Sequence, residues 1–333
     1  MIQPVPAEWS PHRAMWVGWP SHGELWEGNL EPAQAEVEAL VLALAGPGRE
    51  RVRLMVGKRE AFDDAKARFA GMDGVEVIDG RFGDIWLRDT GPVFGEGSRS
   101  AAAFRFNGWG GKYELEHDDT VADQIGQASG APLTRNAFIL EGGALDHDGQ
   151  GTVLTTRQCV LNPNRNPDWT EAKAEAALAE ALGARKVLWL GNGLLNDHTD
   201  GHVDNLARFV APGVVACPVS WGRNDPNDDV YDGVARALSE MTDATGAPLK
   251  LLRLPSPGFV GDEDEKPAPA SHMNFLIANG AVIVPTYGDA RAADLACQGL
   301  KTVFPDREII PLPSIAILTG GGSFHCISQQ EPA

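Results

Sequence analysis

The first long amphipathic pattern covers residues 31–46, where Val37, Leu40, Val41 and Leu44 recur at helical spacing between Pro32 and Gly46. It predicts a helix with one apolar face. Residues 51–56 read as a strand, 59–70 as a second helix and 75–78 as the next strand. The alternation continues with strands at 101–106, 137–140 and 152–155, an alanine-rich helix over Glu171–Leu182 closed by Gly183, and a strand at 187–190. Residues 205–210 and Val214–Val219 predict paired strands, and residues 230–241 a helix with Val230, Val234, Leu238 and Met241 on one face. Strands at 249–254, 274–278, 281–284 and 315–318 complete the series. Strand pairs separated by one helix about every 50–60 residues suit an α/β fold built from repeated modules.

Composition narrows this. No stretch of the 333 residues has linker composition, so one domain over 1–333 is expected. A hydrophobic share of 43% against 22% charged supports a packed core. The 38 glycines and 23 prolines lie mostly between elements and fit short connections. The net charge of −18, with no run of Lys or Arg, argues against nucleic acid and anionic membrane as partners. Cys159, Cys217, Cys297 and Cys326 form no Cys-x-x-Cys pair, which argues against a zinc knuckle or thioredoxin-type site and suits cytosolic thiols. Pro4, Pro6 and Glu8 stand where a signal peptide would need a basic residue and an apolar run, and no segment approaches the ~20 apolar residues of a membrane span. The cytoplasm is the expected location. The acidic, Pro/Ala-rich stretch 261–270 reads as a surface loop, with a lid as the alternative.

Four clusters could carry chemistry. Gly320-Gly321-Gly322-Ser323-Phe324-His325-Cys326 follows the apolar run 315–318, so an expected strand leads into glycines that permit close approach of backbone to ligand, with a thiol at the end. A buried small hydrophobe and a nucleophile both remain open for Cys326, because attack requires a thiolate and hence a partner. Such a partner could come from the polar run 196–205, which contains His202-Val203-Asp204; a spacing of two puts imidazole and carboxylate on one side of an extended segment. Trp86, Arg88 and Asp89 sit just before a Gly-Pro turn, and Glu141 precedes two glycines. Carboxylates, an imidazole and a thiol at strand ends suit cleavage of a C–N bond in a planar cation, since a guanidinium presents parallel N–H donors to paired carboxylates. The bound cation would also stabilise a thiolate nearby.

The segments PAEWSPHRAMWVGWP (6–20), WLRDTGP (86–92), FNGWGGKY (106–113), 139–167, GHVDNLARFV (201–210), MNFLIANGAVIVP (273–285) and GGGSFHCISQQEP (320–332) resemble, in this order, the agmatine deiminase family. This is the Porphyromonas-type peptidyl-arginine deiminase group of the guanidino-modifying pentein superfamily. The resemblance covers nearly the whole chain. It implies a five-bladed α/β propeller of ββαβ modules with a pocket on the axis, no metal and no cofactor, and a homodimer. Cys326 would be the nucleophile, His202 the general acid and base, Asp89 and Asp204 the guanidinium clamp, and Glu141 the group orienting the histidine. Trp86 and Trp109 would line the substrate. The implied reaction turns agmatine into N-carbamoylputrescine and ammonia, on a route to putrescine. Ser323 and Phe324 depart from the Asn and Ile expected there, and the loop before Ser271 is shorter than in the family, which opens the identity of the substrate tail.

Other readings stay open. His198, His202 and Asp204 have the spacing of a metal site, with Glu141 as a fourth ligand. A non-catalytic binder of cationic amines would keep the carboxylates and tryptophans, and an amidinotransferase would use an amine acceptor in place of water. An agmatine tail needs an acidic partner, for which residues 225–229 (DPNDD) are a candidate; arginine and peptidyl-arginine are alternative substrates, and the carboxylate of free arginine would need a cation such as Arg88 or Arg105.

Overall fold

Five three- or four-stranded sheets, all with one connectivity, carry the chain from end to end in a computed structural model that describes residues 3–26, 28–262 and 264–333. Met1 and Ile2 of the amino-terminal stretch and Glu263 of the acidic loop lie outside the described residues. In chain order the strands are β1 (His12–Trp19), β2 (Val52–Val56), β3 (Val75–Asp79), β4 (Val93–Phe94), β5 (Ala101–Arg105), β6 (Leu133–Ile139), β7 (Asp146–His147) and β8 (Thr152–Thr156). They continue with β9 (Lys186–Leu190), β10 (Arg208–Ala211), β11 (Val214–Val219), β12 (Lys250–Pro255), β13 (Leu276–Ile277), β14 (Ala281–Thr286), β15 (Glu308–Pro313) and β16 (Ser328–Pro332).

In each sheet an antiparallel strand pair is followed by a helix that crosses over to a third, parallel strand: β4-β5-β6, β7-β8-β9, β10-β11-β12 and β13-β14-β15. The fifth sheet, β16-β1-β2-β3, joins the two chain ends, with β16 antiparallel to β1. A mixed α/β architecture follows. Helix Leu30–Ala45 buries Val37, Leu40, Val41 and Leu44, the positions its periodicity selected, each contributing about 1.5–3 kcal/mol. Helix Glu171–Leu182 starts at Thr170, whose side chain accepts from the Lys173 N–H, and ends at left-handed Gly183. No described helix is long and apolar enough to cross a membrane.

One predicted strand is a helix. Residues Ile315–Thr319 turn helically because the Glu36 carboxylate accepts the backbone N–H groups of Ile315, Ala316 and Ile317 at 2.9, 3.1 and 2.9 Å. A distant acid thus satisfies the first-turn donors and complements the helix dipole, which four apolar letters cannot reveal. Strands β1, β15 and β16 and helices Val121–Ser129 and Ala290–Val303 also escape the periodicity. β16 is polar yet buried, its Glu331 taking the Trp16 indole N–H at 3.1 Å and an Arg53 N–H at 2.8 Å. β15 carries Pro311 and Pro313, which an edge strand tolerates. The buried face of Ala290–Val303 is mostly alanine.

The turn before the first strand of each antiparallel pair is where the chemistry sits. Helix Leu87–Thr90 precedes β4, turn Gly142–Ala144 precedes β7, turn Val203–Asn205 precedes β10, turn His272–Asn274 precedes β13, and the glycine loop precedes β16. Asp89, Glu141, His202 with Asp204, Asn274 and Cys326 occupy five equivalent places.

Candidate active site

Three of these five turns meet around Gly143, and the glycine loop brings Cys326 against Asp204 beside them. A Cβ built there would lie 2.6 Å from His202 Nδ1, 2.7 Å from Asp89 Oδ1 and 3.2 Å from Asp204 Oδ2, so only glycine leaves that space to the three side chains. The Gly143 N–H donates to Asp89 Oδ1 at 3.0 Å and the Trp109 indole N–H to Asp89 Oδ2 at 2.9 Å, which fixes the carboxylate plane. His202 Nδ1 is 3.6 Å from Asp89 Oδ1, and neither ring nitrogen of this buried histidine has a hydrogen-bond partner.

Asp204 divides its two oxygens. Oδ2 accepts from His325 Nδ1 at 2.8 Å and faces the Cys326 sulfur at 3.5 Å, while Oδ1 is buried and unpartnered. The other nitrogen of His325 lies 3.2 Å from Glu8 Oε2, and Glu8 is held by Arg208. Burial alone would raise Asp204, but the His325 contact pulls its carboxyl below the usual range. Burial lifts Asp89, and its neighbours His202 and Trp109 only partly offset this. His202 is disfavoured as a cation by burial, yet the Asp89 carboxylate carries it well above the ordinary imidazole value. Burial, with Asp204 and Asp89 adding to it, holds the Cys326 thiol well above its usual value. Both shifts favour a proton on the sulfur and on the imidazole.

Beside Asp204, the sulfur takes hydrogen bonds from the Ser323 backbone and from the Asn274 side chain. Asn274 Nδ2 donates to Cys326 Sγ at 3.1 Å. Sequence reasoning did not single out Asn274 or His325, although both lie in segments that carried the resemblance.

Glu141 is buried nearby. Its carboxylate accepts from Arg165 Nε at 2.8 Å, the Cys159 thiol is 3.9 Å away, and ligand atoms of Glu141, Cys159 and His202 lie within 4.8 Å of one another. The metal-site spacing is not realised as geometry. Among the described residues His198 joins no such group with His202 and Asp204; its ring stacks on Tyr113, with Nδ1 at 2.8 Å from the phenol oxygen. In the one group that does form, the Arg165 guanidinium already sits on Glu141.

Trp86 covers the glycine loop. A Cβ at Gly322 would meet the Trp86 ring at 2.6 Å and the Cys326 sulfur at 3.2 Å, which places the indole beside the thiol. Trp86 donates to Asp84 at 2.7 Å and stacks on Trp26 at 6.4 Å between ring centroids. Trp109, by contrast, stands behind Asp89 with left-handed backbone (φ 54°) and touches the site through its indole N–H. Ser323 bonds Ser314 at 2.7 Å and Phe324 is fully buried in the core, so neither departure from the family pattern lines the cavity.

A vestibule of about 600 Å³ is walled by Trp26, which stacks on Trp86, by Gly321 of the glycine loop, and by His198, Ile315 and the acidic loop with Asp262 and Asp264. Asn196 pins that loop by donating to Pro267 O at 2.8 Å. The other tail candidates are elsewhere. Arg88 is buried behind the nucleophile, bonding His325 O and Gln330, and Arg105 lines a separate surface hollow. Asp225 is consumed by Trp221 and Asn227 of its own turn and by Ser256 after β12.

The chain is similar to known proteins along nearly its whole length. The agmatine deiminase of Ectopseudomonas mendocina (strain ymp) is 37% identical over 99% of this chain and 95% of its own length. The structure of the agmatine deiminase of Enterococcus faecalis superposes with a TM-score of 0.92 at 33% identity, covering 99% of this chain and 95% of that one. SxtG, an amidinotransferase from Microseira wollei, shares the fold at a TM-score of 0.58 and 14% identity, over 98% of this chain and 96% of its own. The family model for Porphyromonas-type peptidyl-arginine deiminase matches residues 4–332, within which every turn that meets around Gly143 falls. By that match and by its identity to full-length relatives, the chain belongs to the Porphyromonas-type peptidyl-arginine deiminase family.

Proposed function

We propose that the chain is an agmatine deiminase, hydrolysing agmatine to N-carbamoylputrescine and ammonia through an amidino adduct on Cys326. The observation that carries the reading is that His202, Asp89 and Asp204 meet at Gly143 with Asp204 Oδ2 3.5 Å from the Cys326 sulfur, while the His202 nitrogens and Asp204 Oδ1 are buried without hydrogen-bond partners.

Asp89 and Asp204 take the planar cation by charge-assisted hydrogen bonds. The cation offsets the two carboxylates that hold the thiol protonated, and the thiol proton leaves to solvent. The thiolate attacks the guanidino carbon, forming the C–S bond of a tetrahedral adduct. His202 gives its proton to one nitrogen, the C–N bond breaks and ammonia leaves. Neutral His202 then takes a proton from water, whose oxygen attacks the amidino carbon; the C–S bond breaks and the hydroxyl proton of the adduct passes to the sulfur, leaving a ureido product and the Cys326 thiol. One water is consumed and one ammonia released. Glu141, within reach of His202 and fixed by Arg165, orients the imidazole, and Trp86 forms an aromatic wall beside the reacting carbon.

The tail reading follows from the vestibule. Its described charged lining is acidic, Asp262 and Asp264, which suits a distal amine, and neither Arg88 nor Arg105 reaches it to meet a carboxylate. The five sheets of equal connectivity support the finer description as blades of a pentein propeller within one domain over 1–333. A homodimer working in the cytoplasm, without metal or cofactor, completes the reading on the strength of the family resemblance.

Ammonia release from agmatine, arginine and a peptidyl-arginine tests the substrate. Agmatine should turn over fastest, and equal or faster turnover of either rival overturns the assignment. Iodoacetamide should abolish activity while a chelator leaves it intact; the reverse pattern would return the metal reading.

A further inference from the structure

We propose that Glu8 of the amino-terminal segment is a positioning residue that holds the His325 ring and, through it, the Asp204 carboxylate that receives the substrate cation. The inference rests on the reading of Asp204 as half of the guanidinium clamp and adds the group that aims it.

The two halves of the clamp are held differently. Asp89 is fixed twice, by the Gly143 N–H on Oδ1 and the Trp109 indole N–H on Oδ2. Among the described residues Asp204 accepts only from the His325 ring, at 2.8 Å, and from the Cys326 thiol, at 3.5 Å, both on Oδ2. Its Oδ1 is buried without a partner, so the direction of that oxygen follows from the bond His325 makes to the other. The His325 backbone is clamped: its N–H donates to Asn274 Oδ1 at 2.9 Å, and its carbonyl accepts from Arg88 Nε at 3.3 Å and Ser328 Oγ at 3.1 Å. The ring can still turn about its Cβ–Cγ bond. A half turn would exchange each nitrogen for a carbon, and Glu8 Oε2, 3.2 Å from Nε2, opposes it. With Asp204 alone the ring would lose one polar contact on turning; with a carboxylate at each nitrogen it loses both.

Glu8 does more than balance Arg208. It belongs to no helix or strand, yet it is buried and its oxygens are divided: Oε1 accepts the Ile277 N–H at 2.7 Å, and Oε2 serves both Arg208 and His325. Arg208 has Asp146 and the Met273 and Phe275 carbonyls without it. Burial alone would raise the Glu8 carboxyl, but Arg208 and His325 pull it well below the usual range, so it presents a charged oxygen to Nε2. Glu8 and His325 line a small chamber with Arg88, Asp146 and His147, and this chamber shares no lining residue with the vestibule. Glu8 therefore reaches the substrate through the ring. A carboxylate at one nitrogen of an imidazole sets what the other nitrogen can hold, as it does where histidines bind metals.

A mutant cycle in a Cys326→Ser background, read as agmatine affinity by calorimetric titration, tests this. Glu8→Gln removes the charge at nearly constant volume and should weaken binding about 10-fold, and His325→Gln should weaken it at least as much. Because both act on Asp204 by one route, the double variant should bind within about 2-fold of the His325 variant alone. Losses that multiply overturn the proposal, and so does a Glu8→Gln protein that binds as tightly as its parent. The second readout needs no change at Glu8 and holds even if those variants do not fold. In histidine-labelled Cys326→Ser protein the Nε2 resonance of His325, which faces Glu8, should move when agmatine fills the clamp; a purely structural contact would leave it still, and an unmoved signal overturns the inference. Failure of the underlying reading looks different, since the Cys326→Ser parent would then bind no agmatine at all and the proposal would fall with it.

Discussion

Two polar runs of this chain look alike as sequence and differ in the fold. Residues 196–205 and residues 225–229 are both rich in Asp and Asn and both connect apolar elements. In the second, Asp225 Oδ2 accepts from the Trp221 N–H at 3.1 Å and from the Ser256 hydroxyl, Oδ1 accepts the Asn227 N–H at 3.1 Å, and Asn227 Oδ1 accepts the Leu195 N–H at 2.8 Å. Asp225 and Asn227 are satisfied by protein partners, and the helix Asp228–Ser239 starts from this run. In the first, His202 and Asp204 are buried just as deeply, yet both His202 nitrogens and Asp204 Oδ1 lack partners. Burying a polar atom without a partner costs about 1–3 kcal/mol, more for a charge, so the first run carries a destabilisation that the second avoids. Function concentrates where that cost is left for a ligand to relieve.

Mutation should divide the two runs between activity and stability. The largest effect belongs to the thiol: Cys326→Ala should lower kcat by about 10⁴-fold or more with little change in melting temperature. A variant that kept substantial ammonia release would break the comparison at its centre. Next come the carboxylates. Asp204→Asn should reduce kcat/KM by about 10²–10³-fold, because His325 Nδ1 loses a carboxylate acceptor and the substrate cation its counter-charge. Asp89→Asn should behave similarly, and calorimetric titration of agmatine into a Cys326→Ser background would show the lost affinity directly. Unaltered affinity in both variants would remove the clamp.

How much of this was legible beforehand depends on which force dominates each element. The helix Leu30–Ala45 and the central strands were readable because a periodic apolar face is local information. Cys326, His202, Asp204, Asp89 and Glu141 were readable as groups of the right chemistry beside glycines. Their common position in five repeated turns was not, since it emerges only when sheets of equal connectivity are aligned. Asn274 shows the cost: it occupies the fourth of those turns but belongs to the apolar-looking segment 273–285, so nothing local marked it. Ile315–Thr319 failed for the opposite reason, its helix depending on Glu36 far away in sequence. Periodicity could not rank 196–205 against 225–229 at all, because partners, not composition, distinguish them.

The comparison is sharpened by damaging the satisfied run. Asp225→Ala leaves the Trp221 and Asn227 N–H groups and the Ser256 hydroxyl without their acceptor. Urea unfolding should show a loss of about 2–4 kcal/mol, while kcat/KM for agmatine stays near wild type at temperatures where the variant is folded. A selective loss of agmatine affinity with unchanged stability would instead make 225–229 part of the substrate site.

The smallest expected effect comes from a third place, intermediate between the two runs. Asp118 supports the turn beneath Trp86, its Oδ1 accepting the Gly83 N–H at 2.7 Å and the Asp84 N–H at 3.4 Å, while its buried Oδ2 is unpartnered. Burial pushes its carboxyl up to about 7, and neighbouring Asp84 to about 6 for the same reason. A carboxyl raised on folding binds its proton more tightly in the native state. Stability is therefore greatest below the unfolded value near 4 and declines as pH rises through about 7. Asn at this position keeps an oxygen for both backbone donors and carries no charge. Asp118→Asn should thus be neutral or slightly destabilising near pH 4 and stabilising by roughly 1 kcal/mol at pH 8, with the crossover between. Melting curves of wild type and variant across that range check it. A constant difference at every pH would mean that Asp118 is as well satisfied as Asp225, and that its lone oxygen carries none of the cost argued for Asp204.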